Sequence, residues 1–168
     1  MKCTSAEANK LLKQLNEEKS LIIRKEKNAM TFVAATVEDA EKIRPKYSFA
    51  ETSTKIDELD GKIRKVRHSI NVFNTTTIVP GFDVTVDEML VLLPQMKERL
   101  DKLGEMSVGP AVERLGGYDS RDNFIEYRYA NYDIQEAEDE YMRLFKLRQS
   151  MQSALDFANS SIKFEINI

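Results

Sequence analysis

The stretch from Gly116 to Asn123 contains the residue types in this sequence that are best suited to binding. It reads Gly-Gly-Tyr-Asp-Ser-Arg-Asp-Asn. Glycines let another molecule approach the backbone closely, and Asp, Ser, Arg and Asn side chains can hold a polar ligand. Four of the six tyrosines lie in or just after this stretch. Tyrosine and arginine are common anchors of protein interfaces, so the pattern indicates partner binding.

We predict that tyrosine and arginine side chains gather at one end of the molecule as a partner-binding site. The candidate residues are Arg44, Tyr47, Tyr118, Arg121, Tyr127, Arg128, Tyr129 and Tyr132. An alternative interpretation is a flexible loop that leads into a strand, with tyrosines that pack on the protein's own helices.

The sequence lacks the residue sets that common catalytic and metal sites need. The single histidine, His68, falls on the outer face of a predicted helix, and the single cysteine, Cys3, is expected in a frayed terminus. The acidic run from Glu136 to Glu140 suits the dipole at a helix start. The sequence contains no phosphate-binding loop, dinucleotide fingerprint or Gly-x-Ser-x-Gly motif. We therefore predict a protein that is not an enzyme and has no catalytic residues, no cofactor and no bound metal.

Length and charge narrow the class of protein further. The chain has 168 residues, 25 Lys and Arg, 28 Asp and Glu, and a net charge of −3. This length predicts a single helical-bundle domain over residues 1–168. The charge balance argues against a strongly basic nucleic-acid binder. One cysteine, no secretory signal and no long apolar run together predict a cytoplasmic protein without a membrane span.

Apolar periodicity and capping residues define four helices that would position the candidate site. The second helix shows the clearest pattern, with apolar residues that alternate steps of four and three from Thr52 to Phe73. Capping-box spacings place the first helix start at Thr4, the third at Thr85 and the fourth at Asp133. Pro94 lies inside the third helix, and Gly104 is its expected end.

Alternation of apolar and polar residues predicts short strands between and after the helices. The candidate segments are Thr31–Ala35, Thr75–Val79, Phe124–Ala130 and Ser161–Ile168. Helix directions place the first and third of these segments at one end, and the second and fourth at the other. The predicted fold is mainly α: an elongated antiparallel helical bundle or set of coiled-coil hairpins, with small β elements at the ends.

Three segments carry a resemblance to a known family. They are the Asn-x-x-Asn-Thr-Thr-Thr helix end at Asn71–Thr77, the Gly-x-x-x-Thr-x-x-Glu helix start at Gly81–Glu88, and the helix and strand over Asp133–Ile168. The layout resembles the small bacterial septicolysin-like proteins, an uncharacterised coiled-coil family. The resemblance implies a coiled-coil fold and no established activity, and the family label implies a toxin.

Three classes of function follow from these observations. The leading hypothesis is a non-enzymatic interaction or scaffold module that self-associates as a homo-oligomer or binds a protein partner. It would use its helical seams and the Tyr/Arg-rich end, because Lys19, Glu26 and Arg148 interrupt the apolar stripes and leave edges that another subunit could cover. The alternative is an RNA-binding helical arm, against which the net charge argues. A toxin-like or small-ligand-binding protein is a second alternative, and its ligand is unknown.

Overall fold

A computed structural model describes residues 1–115 and 125–168 of the chain. Within these residues it contains five helices: α1 (Ser5–Ala29), α2 (Ala40–Ile43), α3 (Phe49–Thr76), α4 (Val86–Val108) and α5 (Ile134–Ser161). It also contains four short strands: β1 (Lys2–Thr4), β2 (Val112–Leu115), β3 (Glu126–Tyr129) and β4 (Lys163–Glu165). The predicted mainly α fold with small β elements is confirmed.

The described residues divide into two compact units. The first comprises Met1–Thr77 together with Phe157–Ile168, and the second comprises Ile78–Asp156. Helix α5 begins in the second unit and ends in the first. The prediction of one domain over residues 1–168 stays a prediction.

The first unit is built on the pairing of α1 with α3. Its core contains buried apolar residues from both helices and from the two chain ends: Cys3, Ala8, Leu15, Leu59, Ile63, Val66, Ile70 and Ile166. The seam predicted for the second helix is confirmed from Leu59 to Phe73, whereas Thr52 and Ile56 are only half-buried. Full burial of such side chains stabilises a fold by roughly 1.5–3 kcal/mol each, so this seam is the main stabilising contact of the unit.

The second unit contains α4, most of α5 (residues 134–156) and the β2–β3 hairpin. Met96 and Leu100 of α4 pack with Leu144 of α5 in a buried cluster. Pro94 lies inside α4 as predicted, but the predicted helix end at Gly104 is wrong because α4 continues to Val108. Gly104 faces the ring of Tyr141, and the helix ends at Gly109 before Pro110.

Helix starts follow the predicted capping residues. Thr4 and Glu7 form a complete capping box at α1, and Thr85 and Glu88 form another at α4. At the start of α5, Asp133 Oδ1 accepts hydrogen bonds from the backbone N–H groups of Gln135 and Glu136 at 2.8 and 3.2 Å. These contacts satisfy backbone donors that have no partner within the helix.

The predicted strand pairing is wrong in both units. Strand β3 pairs antiparallel with β2, and Thr31–Ala35 forms no strand; Val33 there is 93% exposed, so the segment has no buried face to fix a register. Strand β4 pairs antiparallel with β1, and α3 continues through Thr76. The Thr75 and Thr76 hydroxyls donate to helix carbonyls of the preceding turn, and the Thr77 N–H donates to the Phe73 carbonyl, so the backbone stays helical to the end of α3.

Candidate functional site

The β2–β3 hairpin presents part of the predicted partner-binding residues on an exposed surface. Its strands are antiparallel, with Val112 opposite Tyr129 and Arg114 opposite Tyr127. Opposed residues of an antiparallel pair project from the same face of the sheet. These four side chains therefore share one face, which we call the aromatic face.

The aromatic face is open to solvent. Val112 is 49% exposed, Tyr127 47% and Tyr129 66%, and Arg114 is also exposed. The Tyr127 and Tyr129 ring centroids lie 6.3 Å apart, within the range of an aromatic contact. The expectation that the tyrosines of this strand pack on the protein's own helices is therefore not met at Tyr127 and Tyr129. A two-stranded hairpin without further packing is marginally stable in water.

The opposite face of the hairpin is charged. Glu113 lies opposite Arg128, and the Arg128 guanidinium contacts the Glu113 carboxylate at 2.9 Å. Glu126 on the same face lies opposite the apolar Leu115. The two faces thus alternate along β3 as the sequence pattern of Ile125, Tyr127 and Tyr129 against Glu126 and Arg128 predicts.

Tyr132 lies just after the hairpin and is fixed to the end of α4. Its hydroxyl donates to the Met106 carbonyl at 3.0 Å, and Gly109 leaves room for that hydroxyl. The ring is 38% exposed. Tyr132 therefore helps to hold the chain at the base of β3 while part of its ring stays accessible.

Arg44 and Tyr47 lie in the first unit, where both already have partners. The Arg44 guanidinium contacts the Glu41 carboxylate and lies 5.7 Å from the Phe32 ring centroid. The Tyr47 hydroxyl donates to Glu26 Oε1 at 2.6 Å, and this hydrogen bond raises the pKa of Tyr47. Tyr118 and Arg121 lie outside the described residues. The predicted gathering of all eight side chains stays a prediction.

Sequence reasoning missed Val112 as a member of the aromatic face. Strand β2 has only four residues, and Val-Glu-Arg-Leu shows no regular alternation of apolar and polar types. Its partner strand carries a stronger signal, because aromatic and charged residues alternate there. Sequence reasoning did group Arg114 with the tyrosines, but the register is needed before Val112 can be placed beside them.

The other candidate residues have local structural explanations. Cys3 is buried at 3% exposure in β1 opposite Phe164, so the expected frayed terminus is wrong. Burial raises the pKa of the Cys3 thiol, and a thiol so protonated is a poor nucleophile. His68 is exposed on α3, as predicted. Glu140, from the acidic run, binds Arg143 and Arg99, and the hydrogen bond from Arg143 lowers the pKa of Glu140.

A groove, separate from the aromatic face, lies between α4 and α5 within the second unit. It has a volume of about 570 Å³, and Leu100, Gly104, Tyr141, Phe145 and Arg148 are among its lining residues. The Tyr141 and Phe145 rings stack with centroids 6.1 Å apart. Arg148 Nε is buried and has no hydrogen-bond partner among the described residues. The groove therefore combines apolar and aromatic side chains with charged ones, and the lining also includes Lys97, Asp101 and Glu105.

Residues 1–115 and 125–168 contain no group of three or more His, Cys, Asp or Glu side chains arranged to hold a metal ion. In those same ranges, no helix combines the length and the apolar character that crossing a bilayer requires.

Comparison with known proteins supports the fold and leaves the function open. No family model matches the chain, and a comparison with curated proteins gives no match. The chain is similar to a crystal structure of a functionally unknown conserved protein from Corynebacterium diphtheriae, with a TM-score of 0.56 and 14% sequence identity. The match covers 98% of this chain and 100% of that chain. At this identity the likeness shows the fold alone, and the septicolysin-like resemblance stays a prediction.

Proposed function

We propose that the chain is a non-enzymatic interaction module that binds a protein partner through the β2–β3 hairpin. The observation that carries this proposal is the uncovered aromatic face, on which Tyr127, Tyr129 and Val112 are each 47% exposed or more. Aromatic and arginine side chains supply much of the binding energy of protein interfaces. Arg114 lies beside Tyr127 on this face, so the face contains both residue types.

The hairpin differs from the scattered apolar residues on the helices. Single exposed apolar side chains are normal on protein surfaces and need no partner. On the hairpin, four neighbouring side chains share one face, and a fixed register holds them together. Their rings and aliphatic stems would leave water when a partner covers the sheet, which favours association.

Cross-linking from the aromatic face tests this proposal. A photo-reactive phenylalanine analogue is placed at Tyr129 of the full chain in cells that naturally express it. The matched control places the analogue at Phe49, which is 69% exposed at the start of α3. We expect a cross-linked species heavier than 19.3 kDa from position 129 and none from position 49. Equal cross-linking from both positions, or none from either, contradicts the proposal.

Nucleic-acid binding is the second candidate, and one segment of α3 favours it. Between Gly61 and Thr76 the chain has four basic residues and no acidic residue, and Lys62, Arg64, Lys65 and Arg67 are all exposed. A basic segment can contact phosphates, and such binding weakens as salt rises. Salt-dependent retention on RNA that is lost when these four residues become serine would support this candidate. No retention at low salt would remove it.

A further inference from the structure

Along β3, backbone groups directed to β2 alternate with groups directed to the outer edge of the strand. Ala130 N–H donates to the Ala111 carbonyl at 3.0 Å, in the same register that pairs Arg128 with Glu113 and Glu126 with Leu115. In an antiparallel ladder, only every second residue pair exchanges hydrogen bonds. The N–H and C=O groups of Tyr127 and Tyr129 therefore point away from β2.

No further strand pairs with that edge within the described ranges. The hairpin forms a sheet of two strands, β2 and β3, and neither pairs with another strand among residues 1–115 and 125–168. A strand edge with unpaired N–H and C=O groups is a template on which another chain can add a strand. Its side chains then decide which strand fits.

We propose that β3 pairs along this edge with β3 of a second copy of the chain, antiparallel and centred on Tyr127. This inference rests on the proposed function, because it names the partner of the hairpin. The centre places Tyr127 opposite Tyr127 of the second copy, and the two residues exchange backbone hydrogen bonds. Ile125 then lies opposite Tyr129 of the second copy, and Glu126 lies opposite Arg128 of the second copy.

Charge complementarity selects this register from its neighbours. With the centre on Tyr127, Glu126 of each copy lies opposite Arg128 of the other, which gives two equivalent pairs of opposite charge. These pairs fall at positions without backbone hydrogen bonds, where opposed side chains are closest. A centre on Glu126 would oppose two carboxylates, and a centre on Arg128 would oppose two guanidinium groups. Like charges directly opposite each other destabilise a sheet.

The edge of β2 has no equivalent self-complementary register. Centres on Glu113 and Arg114 would each place a charge opposite its own copy. A centre on Val112 would place Glu113 opposite Ala111 of the other copy, without an opposite charge. The sequence of β3 therefore fits a second β3 better than β2 fits a second β2. Two-fold pairing of this kind closes on itself and forms a dimer.

The paired sheet would also remedy the marginal stability of the hairpin. It has four strands in the order β2, β3, β3, β2, and three or more strands with an apolar face are needed for a stable sheet. On the aromatic face, the two Tyr127 rings would lie at the centre, flanked by Arg114 from each copy. On the other face, Arg128 would lie between Glu113 of its own chain and Glu126 of the second copy.

Charge exchange on the full chain tests the register. Light scattering on a sizing column should give twice 19.3 kDa for the unchanged chain. In Glu126→Arg, two arginines face each other wherever residue 126 meets residue 128 of the other copy, and in Arg128→Glu two glutamates do. Each variant should therefore raise the dissociation constant of the dimer about tenfold or more. A mixture of the two variants should form a heterodimer, because each then supplies the charge that the other requires. The double variant Glu126→Arg with Arg128→Glu should dimerise again.

A control separates loss of the hairpin from loss of the interface. Glu113→Arg removes the contact of Arg128 within the chain but lies on the strand away from the proposed edge. This variant should keep the dimer. The inference is overturned if Glu113→Arg loses the dimer as the two single exchanges do, and if mixing the single exchanges does not restore it. A mass of 19.3 kDa for the unchanged chain also overturns it. In that case, cross-linking from Tyr129 to a different protein would leave the proposed function standing.

Discussion

Lys19 Nζ lies 2.7 Å from Asp60 Oδ1 and 2.8 Å from Asp60 Oδ2, so an ion pair joins α1 to α3 where a lysine interrupts the apolar stripe of α1. The Lys19 side chain is 28% exposed and the Asp60 side chain 34%. Glu26, the other interruption, accepts a hydrogen bond from Tyr47. Both polar breaks in the α1 stripe therefore have partners within the first unit.

Loss of Asp60 should destabilise the pairing of α1 with α3. Asp60→Ala leaves the half-buried Lys19 ammonium without its partner, and we expect the free energy of unfolding to fall by about 1 kcal/mol. Urea unfolding followed by circular dichroism measures this change. The double variant Lys19→Met with Asp60→Leu should recover the loss, because apolar side chains of similar size can replace such a pair.

The exposed pair Lys13–Glu17 provides the control for this prediction. Its atoms lie 3.8 Å apart, and both side chains are largely exposed. Glu17→Gln should leave the urea midpoint unchanged, because exposed ion pairs contribute little to stability. If Lys19→Met with Asp60→Leu were less stable than Asp60→Ala, the expectation that an apolar pair can replace this ion pair would be contradicted.

The capping threonine of α1 should contribute strongly to stability. Thr4 is 5% exposed, and its hydroxyl accepts a hydrogen bond from Glu7 N–H at 3.2 Å. Thr4→Ala should lower the free energy of unfolding by about 1–2 kcal/mol, measured by urea unfolding. Thr54→Ala is the matched control, because the Thr54 hydroxyl only bonds back to the Ala50 carbonyl within α3. That variant should be neutral or slightly stabilising, and an equal loss in both variants would contradict a capping role.

The two capping boxes also show how much local sequence determines. Thr4 with Glu7 and Thr85 with Glu88 were predicted from spacing alone, because a cap involves residues only three positions apart. The seam from Leu59 to Phe73 was predictable for the same reason, since helical periodicity is a local pattern. Helix starts and buried helix faces could therefore be read from the sequence.

Strand partners could not be read in this way. Strand β1 contains only Lys2–Thr4, too short to show alternation, yet it pairs with β4 at the other end of the chain. Its pairing is completed by the N-terminal amino group, which donates to the Ile166 carbonyl at 2.8 Å. On the candidate site, the alternation in β3 predicted a strand, but its partner β2 carries no comparable signal. The aromatic face depends on that pairing, so only its tyrosines were predictable.

Acid should weaken the fold through the two capping glutamates. Hydrogen bonds from the backbone N–H groups of Thr4 and Thr85 lower the pKa values of Glu7 and Glu88 below the ordinary value of 4.5. Since the unfolded chain then binds more protons than the folded chain, this contribution is present above pH 4.5 and is lost as pH falls through the folded values.

Unfolding in urea over a series of acidic pH values measures this contribution. The variant Glu7→Gln with Glu88→Gln should show a smaller loss of stability on acidification than the unchanged chain. Glu98→Gln, which removes an exposed carboxylate inside α4, is the control and should keep the original slope. Equal slopes for all three chains would show that the caps do not contribute to the acid sensitivity.

Arg148 interrupts the apolar stripe of α5, and its side chain should be replaceable without loss. Its Nε atom is buried and has no hydrogen-bond partner among the described residues, an arrangement that carries a desolvation penalty of about 1–3 kcal/mol. Arg148→Met keeps an unbranched apolar side chain in the place of the arginine stem beside Tyr141 and Phe145 in the groove. We therefore expect the free energy of unfolding to stay the same or to rise by about 1 kcal/mol.

Thermal unfolding of Arg148→Met compared with Arg143→Met measures this effect against a matched change five residues earlier on α5. Arg143 Nε and one of its terminal nitrogens contact Glu140 at 2.6 and 2.9 Å on an exposed surface. Loss of this exposed pair should change the midpoint little. A thermal midpoint for Arg148→Met clearly below that of Arg143→Met would contradict this expectation. It would show that the Arg148 guanidinium stabilises the protein through its terminal nitrogens, so that the fold requires this interruption of the α5 stripe.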